Sequence, residues 1–167
     1  MKGIVKFFKK LKRKKLKISK AGLREHIEHR KKSGKKRRIY KNKKGEVFFV
    51  ERPVDRMTVN NGEISVVVEV FHPEKELFAD GRVIVRLVRN EVHIHGANIV
   101  PEKIGTKGRG IIDIFVDEAK ELGTKHFRKK DFTITIVPSG DKKELRKYYA
   151  SKGFEPIPGE AKMRMKP

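Results

Sequence analysis

"GTKGRGIIDIFVDEAKELG", residues 105 to 123, sets three glycines and two basic side chains directly ahead of a helical apolar pattern. Ile111, Ile112, Phe115, Val116, Ala119 and Leu122 recur at helical spacing, while Asp113, Asp117, Lys120 and Glu121 share the opposite face. The stretch therefore reads as a half-buried helix, opened by a glycine turn and closed by Gly123. Ahead of it, "EVHIHGANIV" (91–100) is rich in β-branched residues and reads as a strand. Strand, glycine turn and helix in that order present unpaired backbone N–H groups and the positive end of a helix dipole to an anion. Gly105, Gly108 and Gly110 allow the backbone to approach a phosphate, and Lys107 and Arg109 add charge beside it.

Working outward, "EVFFVER" (46–52), "EISVVVEVFH" (63–72), "RVIVRLV" (82–88) and "FTITIVP" (132–138) read as strands, with tight turns at "NNG" (60–62) and "RNE" (89–91). Asp141 with Glu144 makes a capping-box signature for a second helix ending at Gly153, and "FEPI" and "KMRMK" suit two short final strands. Consecutive strands followed by strand, helix, strand, helix, strands predict an α/β (α+β) domain over 45–167: a mixed, mostly antiparallel central sheet with flanking helices.

The second half of the chain resembles the Gcn5-related N-acetyltransferase (acyl-CoA N-acyltransferase) family, whose signature is a glycine turn, Q/R-x-x-G-x-G/A, followed by a tyrosine, three residues and Gly-Phe. Here the turn is "GTKGRG" and the later motif is Tyr149, Ala150, Ser151, Lys152, Gly153, Phe154. The resemblance implies acetyl-coenzyme A as cofactor. Its pyrophosphate would lie on the backbone of Gly105, Thr106, Lys107, Gly108, Arg109 and Gly110, and its pantetheine arm against the strand ending near Val100. Tyr149 would stand where the family places the acid that protonates the departing thiolate. The same spacing also suits a plain apolar helix face of Leu145, Tyr148 and Tyr149. For the base that takes the amine proton, the strand before the turn offers Glu91, His93 and His95 on one face. His95, then His93, are the candidates, because the ordinary pKa of histidine is near working pH. The pairs His93/His95 and His26/His29 lack an obvious third ligand, so no metal site is expected. The family also inserts two helices between its first two strands, whereas here only residues 53 to 62 are available. The acceptor side is expected to be open, or walled by the N-terminal helices, which suits a macromolecular amine acceptor.

Those helices carry the charge. The chain of 167 residues has a net charge of +22. Residues 1–44 hold 21 basic and 2 acidic side chains, whereas 45–167 hold 22 and 19. The sequence predicts a polycationic helical arm over 1–44 ahead of a near-neutral body. "GIVKFFKKLKRKKLK" (3–17) sets Ile4, Phe7, Phe8 and Leu11 on one helical face, and a second helix runs from Ser19 to about Lys32. Such charge density calls for an anionic partner, and counterion release makes RNA or DNA the leading one. Lys9, Lys10, Lys12, Arg13, Lys14, Lys15, Arg30, Lys31, Lys32, Lys35, Lys36, Arg37 and Arg38 are the candidate phosphate contacts. An anionic membrane, met by the Ile4, Phe7, Phe8, Leu11 face, is the rival partner. There is no cysteine, hence no disulfide or thiolate chemistry, and no apolar run approaches the roughly 20 residues that span a bilayer. The absence of glutamine beside abundant Lys and Glu leans towards a thermophilic source. Two functions are expected: a cytoplasmic acetyltransferase held on nucleoid, ribosome or another particle, or a non-catalytic component of a ribonucleoprotein or virion.

Overall fold

The computed structural model of the protein describes residues 37–72, 77–99, 110–127, 131–138 and 142–167. Both expected N-terminal helices, most of the glycine turn and Asp141 lie outside the described residues. The strands are β1 Arg38–Lys41, β2 Val47–Glu51, β3 Thr58–Asn60, β4 Glu63–Phe71, β5 Leu77–Arg86, β6 Glu91–Ile99, β7 Thr133–Ile136, β8 Glu155–Pro156 and β9 Met163–Met165. The helices are α1 Ile111–His126 and α2 Lys142–Ala150. One sheet runs in the order β1-β2-β4-β5-β6-β7-β9-β8, with β3 beside β4 off this path. Its pairings are antiparallel except for β6 with β7. This is the mixed, mostly antiparallel sheet with two helices that the strand and helix order predicts.

Period-two alternation decides which face is buried. Val66, Val68 and Val70 of β4, Val83 and Val85 of β5, Val92 and Ile94 of β6, and Ile134 and Ile136 of β7 pack with Ile111, Ile114, Phe115, Ala119 and Leu122 of α1 in one core cluster. Burying a ring such as Phe115, which is fully enclosed, stabilises the fold by about 1.5–3 kcal/mol. Tyr148 and Tyr149 of α2 pack on the edge of the same cluster. The turn at "NNG" is as expected: Asn61 and Gly62 both have positive φ (45° and 78°), the two-residue geometry that matches strand twist.

Three expectations need correcting. Gly123 does not close α1, which runs on to His126. An added Cβ at Gly123 would lie 2.1 Å from Phe132 Cε2, so glycine is there because a ring fills the space. Second, the sheet begins at Arg38, ahead of the expected start at 45, because "RIYK" pairs with β2 through a turn closed by Asn42 and Gly45. Third, Arg37 and Arg38, counted among the phosphate contacts, are engaged by the body. Arg37 pairs with Glu51, and Arg38 with Glu118 (2.5 Å) and Glu121. Glu118, buried on α1, is also held by Arg52. A buried carboxylate is retained only when paired in this way.

Candidate functional site

The candidate site is built where β6 changes partner. Its ladder to β7 joins Glu91–Thr133, Val92–Ile134, His93–Thr135 and Ile94–Ile136 and then ends. Among the described residues no strand pairs with 95–99 on that side. On the other side the β5 register slips: Arg82 faces His95 but Asp80 faces Asn98. The extra residue is accommodated at Gly96, whose φ of 60° is left-handed, a conformation glycine adopts without steric cost. A bulge re-aims the side chains around it and bends the strand. The sheet is thus parted between two parallel strands at the point where a bulge turns His95 outward.

On the face away from α1, the register brings Arg82, Ile84 and Arg86 of β5 beside His95, His93 and Glu91 of β6. The latter two behave oppositely. His93 is buried, and its Nδ1 lies 2.9 Å from Thr135 Oγ1, while the Thr135 hydroxyl donates to Glu91 Oε1 at 2.8 Å. Because the threonine proton goes to the carboxylate, His93 Nδ1–H must be the donor, which fixes its tautomer. Burial, reinforced by Arg86, pushes the His93 pKa down from 6.5 to about 4, so the ground on which it was a base candidate does not apply to it. Burial works against the Glu91 charge, but the Thr135 hydrogen bond together with Lys162 and Arg86 outweighs it and holds the carboxyl below its ordinary range. His95 is exposed, with its ring centroid 5.9 Å from that of His93. It lines a cavity of about 670 Å³ together with Arg56, Thr58, Val67, Asp80, Gly81, Arg82 and Gly96.

The next described element after β6 is α1, opened by Gly110. Of the turn residues expected to hold pyrophosphate, Gly110 is described; Val100, Gly105, Thr106, Lys107, Gly108 and Arg109 lie outside the described residues. Gly110 is the N-cap residue, with φ 72° and ψ 25°. A Cβ there would come within 3.2 Å of Asp113 Oδ2 and 3.7 Å of Asn42 Cβ, a tight but yielding fit, so it is the left-handed φ that calls for glycine. Asp113, in the first turn, accepts a hydrogen bond from Lys152 Nζ at 2.7 Å. This contact ties the glycine turn to the later Tyr-x-x-x-Gly-Phe motif and neutralises a carboxylate that would otherwise oppose an anion at the helix end. Sequence reading missed it because the two residues stand 39 apart. It also missed Arg56, Asp80 and Arg82, whose convergence depends on the bulge register.

Tyr149 is half-buried, edge-on to Phe154 (6.0 Å) and beside Tyr148 (5.7 Å). Burial, then Tyr148, raises its phenol above the ordinary value, so it keeps its proton. Tyr40 of β1 is pushed up to about 12 by burial and by Asp113, Asp117 and Tyr148. Tyr149 thus packs against the core and keeps its phenolic proton. Among the described residues no group of His, Cys, Asp or Glu could hold a metal ion, and no helix is long and apolar enough to cross a membrane.

No protein-family model matches the chain, and no curated protein matches it by sequence. Solved structures do match. A cAMP-binding acyltransferase from Mycobacterium smegmatis superposes with a TM-score of 0.56 at 12% identity, over 91% of this chain and 55% of its own. Nourseothricin acetyltransferase superposes with a TM-score of 0.50 at 15% identity, over 78% of this chain and 84% of its own. The chain thus spans about half the length of the first of these. The fold is that of the Gcn5-related N-acetyltransferases.

Proposed function

We propose that the chain is an acetyl-coenzyme A dependent N-acetyltransferase held on RNA or DNA, or on a nucleoprotein particle, by its basic N-terminal segment. The observation that carries the enzymatic half is a coincidence in one place: the β6–β7 ladder ends, Gly96 bulges, and His95 turns into a cavity. The cofactor fits the residues at hand, since Gly110 takes a left-handed φ at the N-terminus of α1 and the Asp113 charge beside it is neutralised by Lys152. Gly110 with the turn before it would hold the pyrophosphate, and the unpaired edge of β6 the pantetheine arm. Acetyl-coenzyme A would supply the activated acyl group.

The chain's own groups then move protons. An amine is nucleophilic only when neutral, and His95, exposed at the cavity, is the imidazole placed to accept its proton. His93, neutral and locked by Thr135, orients the strand face beside it and does not serve as the base. Tyr149 Oη holds a proton that a departing thiolate can take. For the tethering half, residues 1–36 carry 16 basic and 2 acidic side chains, and neutralised backbone phosphates are the strongest compensation for such a density. One observation favours a second reading, a non-catalytic component of a ribonucleoprotein or virion. Between β2 and β4 the chain has a single 3-10 turn, Val54–Arg56, and β3, so the acceptor wall that the resemblance implies is missing there.

Calorimetric titration with acetyl-coenzyme A separates the two readings. Binding at about micromolar affinity, lost in Gly108→Glu because that side chain sets bulk and negative charge against the pyrophosphate, supports the enzyme. No binding at millimolar cofactor sinks it.

A further inference from the structure

The cavity beside His95 is lined by charges of both signs, and their pairing is uneven. Arg56 donates to Glu69 at 2.6 Å, so that cation and that carboxylate neutralise each other. Asp80 lies directly across the β4–β5 ladder from Glu69, a like-charge neighbour rather than a partner. Arg82, two residues further along β5 on the same face, is exposed. Among the described residues neither Asp80 nor Arg82 enters an ion pair, with each other or with any other side chain. An i, i+2 pair on a strand sets their Cα atoms about 7 Å apart. The bulge at Gly96 separates their cross-strand partners, Asn98 for Asp80 and His95 for Arg82. An uncompensated anion and an uncompensated cation therefore flank the bulge at which the strands part.

We infer that this cavity binds an amine that also carries an oxyanion, a carboxylate or a phosphate, with Arg82 gripping the oxyanion and Asp80 receiving the ammonium. The assignment of the bound amine as acceptor rests on the function proposed above; the charge recognition itself does not require the cofactor. Arg82 supplies a planar fork of N–H donors that matches a carboxylate or phosphate edge. Asp80 is half-buried, where a carboxylate attracts a cation more strongly than it would in open water. Held between them, the ammonium lies over Gly96 and next to His95, whose imidazole can take its proton. A volume of about 670 Å³ is larger than a free amino acid needs and falls in the range of ordinary small-ligand sites. The fitting ligand is of dipeptide or amino-nucleotide size.

The test uses the full chain, without cofactor, in 0.15 M salt so that the excess of surface charge does not dominate. Three probes are titrated by calorimetry: alanylalanine (carboxylate), phosphoethanolamine (phosphate) and 1,4-diaminobutane (no anion). At least one of the first two should bind saturably at roughly millimolar concentration or better, and at least about tenfold more tightly than the diamine. Arg82→Gln should weaken that binding by about tenfold or more, and Asp80→Asn should weaken it as well. Arg89→Gln, on the exposed β5–β6 turn, should leave it unchanged, which separates the cavity from diffuse attraction to a cationic surface. The ratio of alanylalanine to phosphoethanolamine affinity identifies the oxyanion. Diaminobutane binding as tightly, unaltered binding in Arg82→Gln, equal loss in Arg89→Gln, or no saturable binding of either anionic amine overturns the inference. Acetyl-coenzyme A is titrated in parallel. Cofactor binding without amine binding refutes the acceptor class and leaves the enzyme standing, whereas amine binding without cofactor binding upholds the recognition and removes the acyl transfer.

Discussion

Acid should loosen this fold through His93. The imidazole is buried, donates through Nδ1 to Thr135 and has a pKa of about 4 against an ordinary 6.5. A histidine depressed in the folded state contributes its full stability above pH 6.5. The contribution shrinks as pH falls through that value, because the unfolded chain then binds a proton that the folded chain refuses, and the loss stops growing below about pH 4. At pH 5 the difference amounts to about 2 kcal/mol. Asparagine sets an amide N–H where Nδ1–H stood, so His93→Asn keeps the donor to Thr135 and removes the titration. Urea unfolding of both proteins at pH 7.5 and pH 5 reads the effect, with carboxylate titrations common to the two cancelling in the difference. The native protein should lose about 2 kcal/mol more than the variant between those pH values. A differential loss below about 0.5 kcal/mol would mean that His93 is protonated in the fold, and would restore it as a base beside His95.

Two further outcomes follow from geometry already described. Gly123→Ala should destabilise by about 1–3 kcal/mol in thermal or urea unfolding, since the new Cβ would lie 2.1 Å from a Phe132 ring stacked on Phe127, which outweighs the roughly 1 kcal/mol that alanine ordinarily adds to a helix interior; a stabilised variant would show that the ring swings aside freely. Deleting residues 1–36 spares Arg37 and Arg38 and their carboxylate partners, so the body should keep a cooperative thermal transition while its affinity for RNA or DNA at about 0.1 M salt falls by two orders of magnitude or more. Fluorescence anisotropy measures this, and equal affinity of the two proteins would move the nucleic-acid surface to the body.

What could be read from the sequence had local causes. The apolar stripe of α1, Gly110 at its start and the Tyr-x-x-x-Gly-Phe run each lie within one turn or one helix, and their spacing alone announces them. Gly153, with φ 91°, closes the turn after α2 as a helix-terminal glycine should. Gly123 has the same local signature and a different cause, a phenylalanine ring nine positions further on that no helical pattern announces. Strand β1 was concealed by its charge: Arg38 and Lys41 looked like part of a solvated arm because the acids that receive Arg38 are Glu118 and Glu121, about 80 positions away. The cavity was concealed for a third reason. Asp80, Arg82 and His95 converge only after one residue of slippage at Gly96, and alternation along either strand alone cannot reveal a register.

Among the described residues the strand order of the sheet ends on β8 and on β1, and such margins invite other chains to add on. Here one margin is β8, two residues long and ending in Pro156, which has no N–H to offer a newcomer. The other is β1, four residues long, with a basic side chain at each end. The brevity of both margins, together with the proline on one, is thus what guards the sheet against polymerising edge to edge, and lengthening β1 into a flat apolar strand would remove that protection.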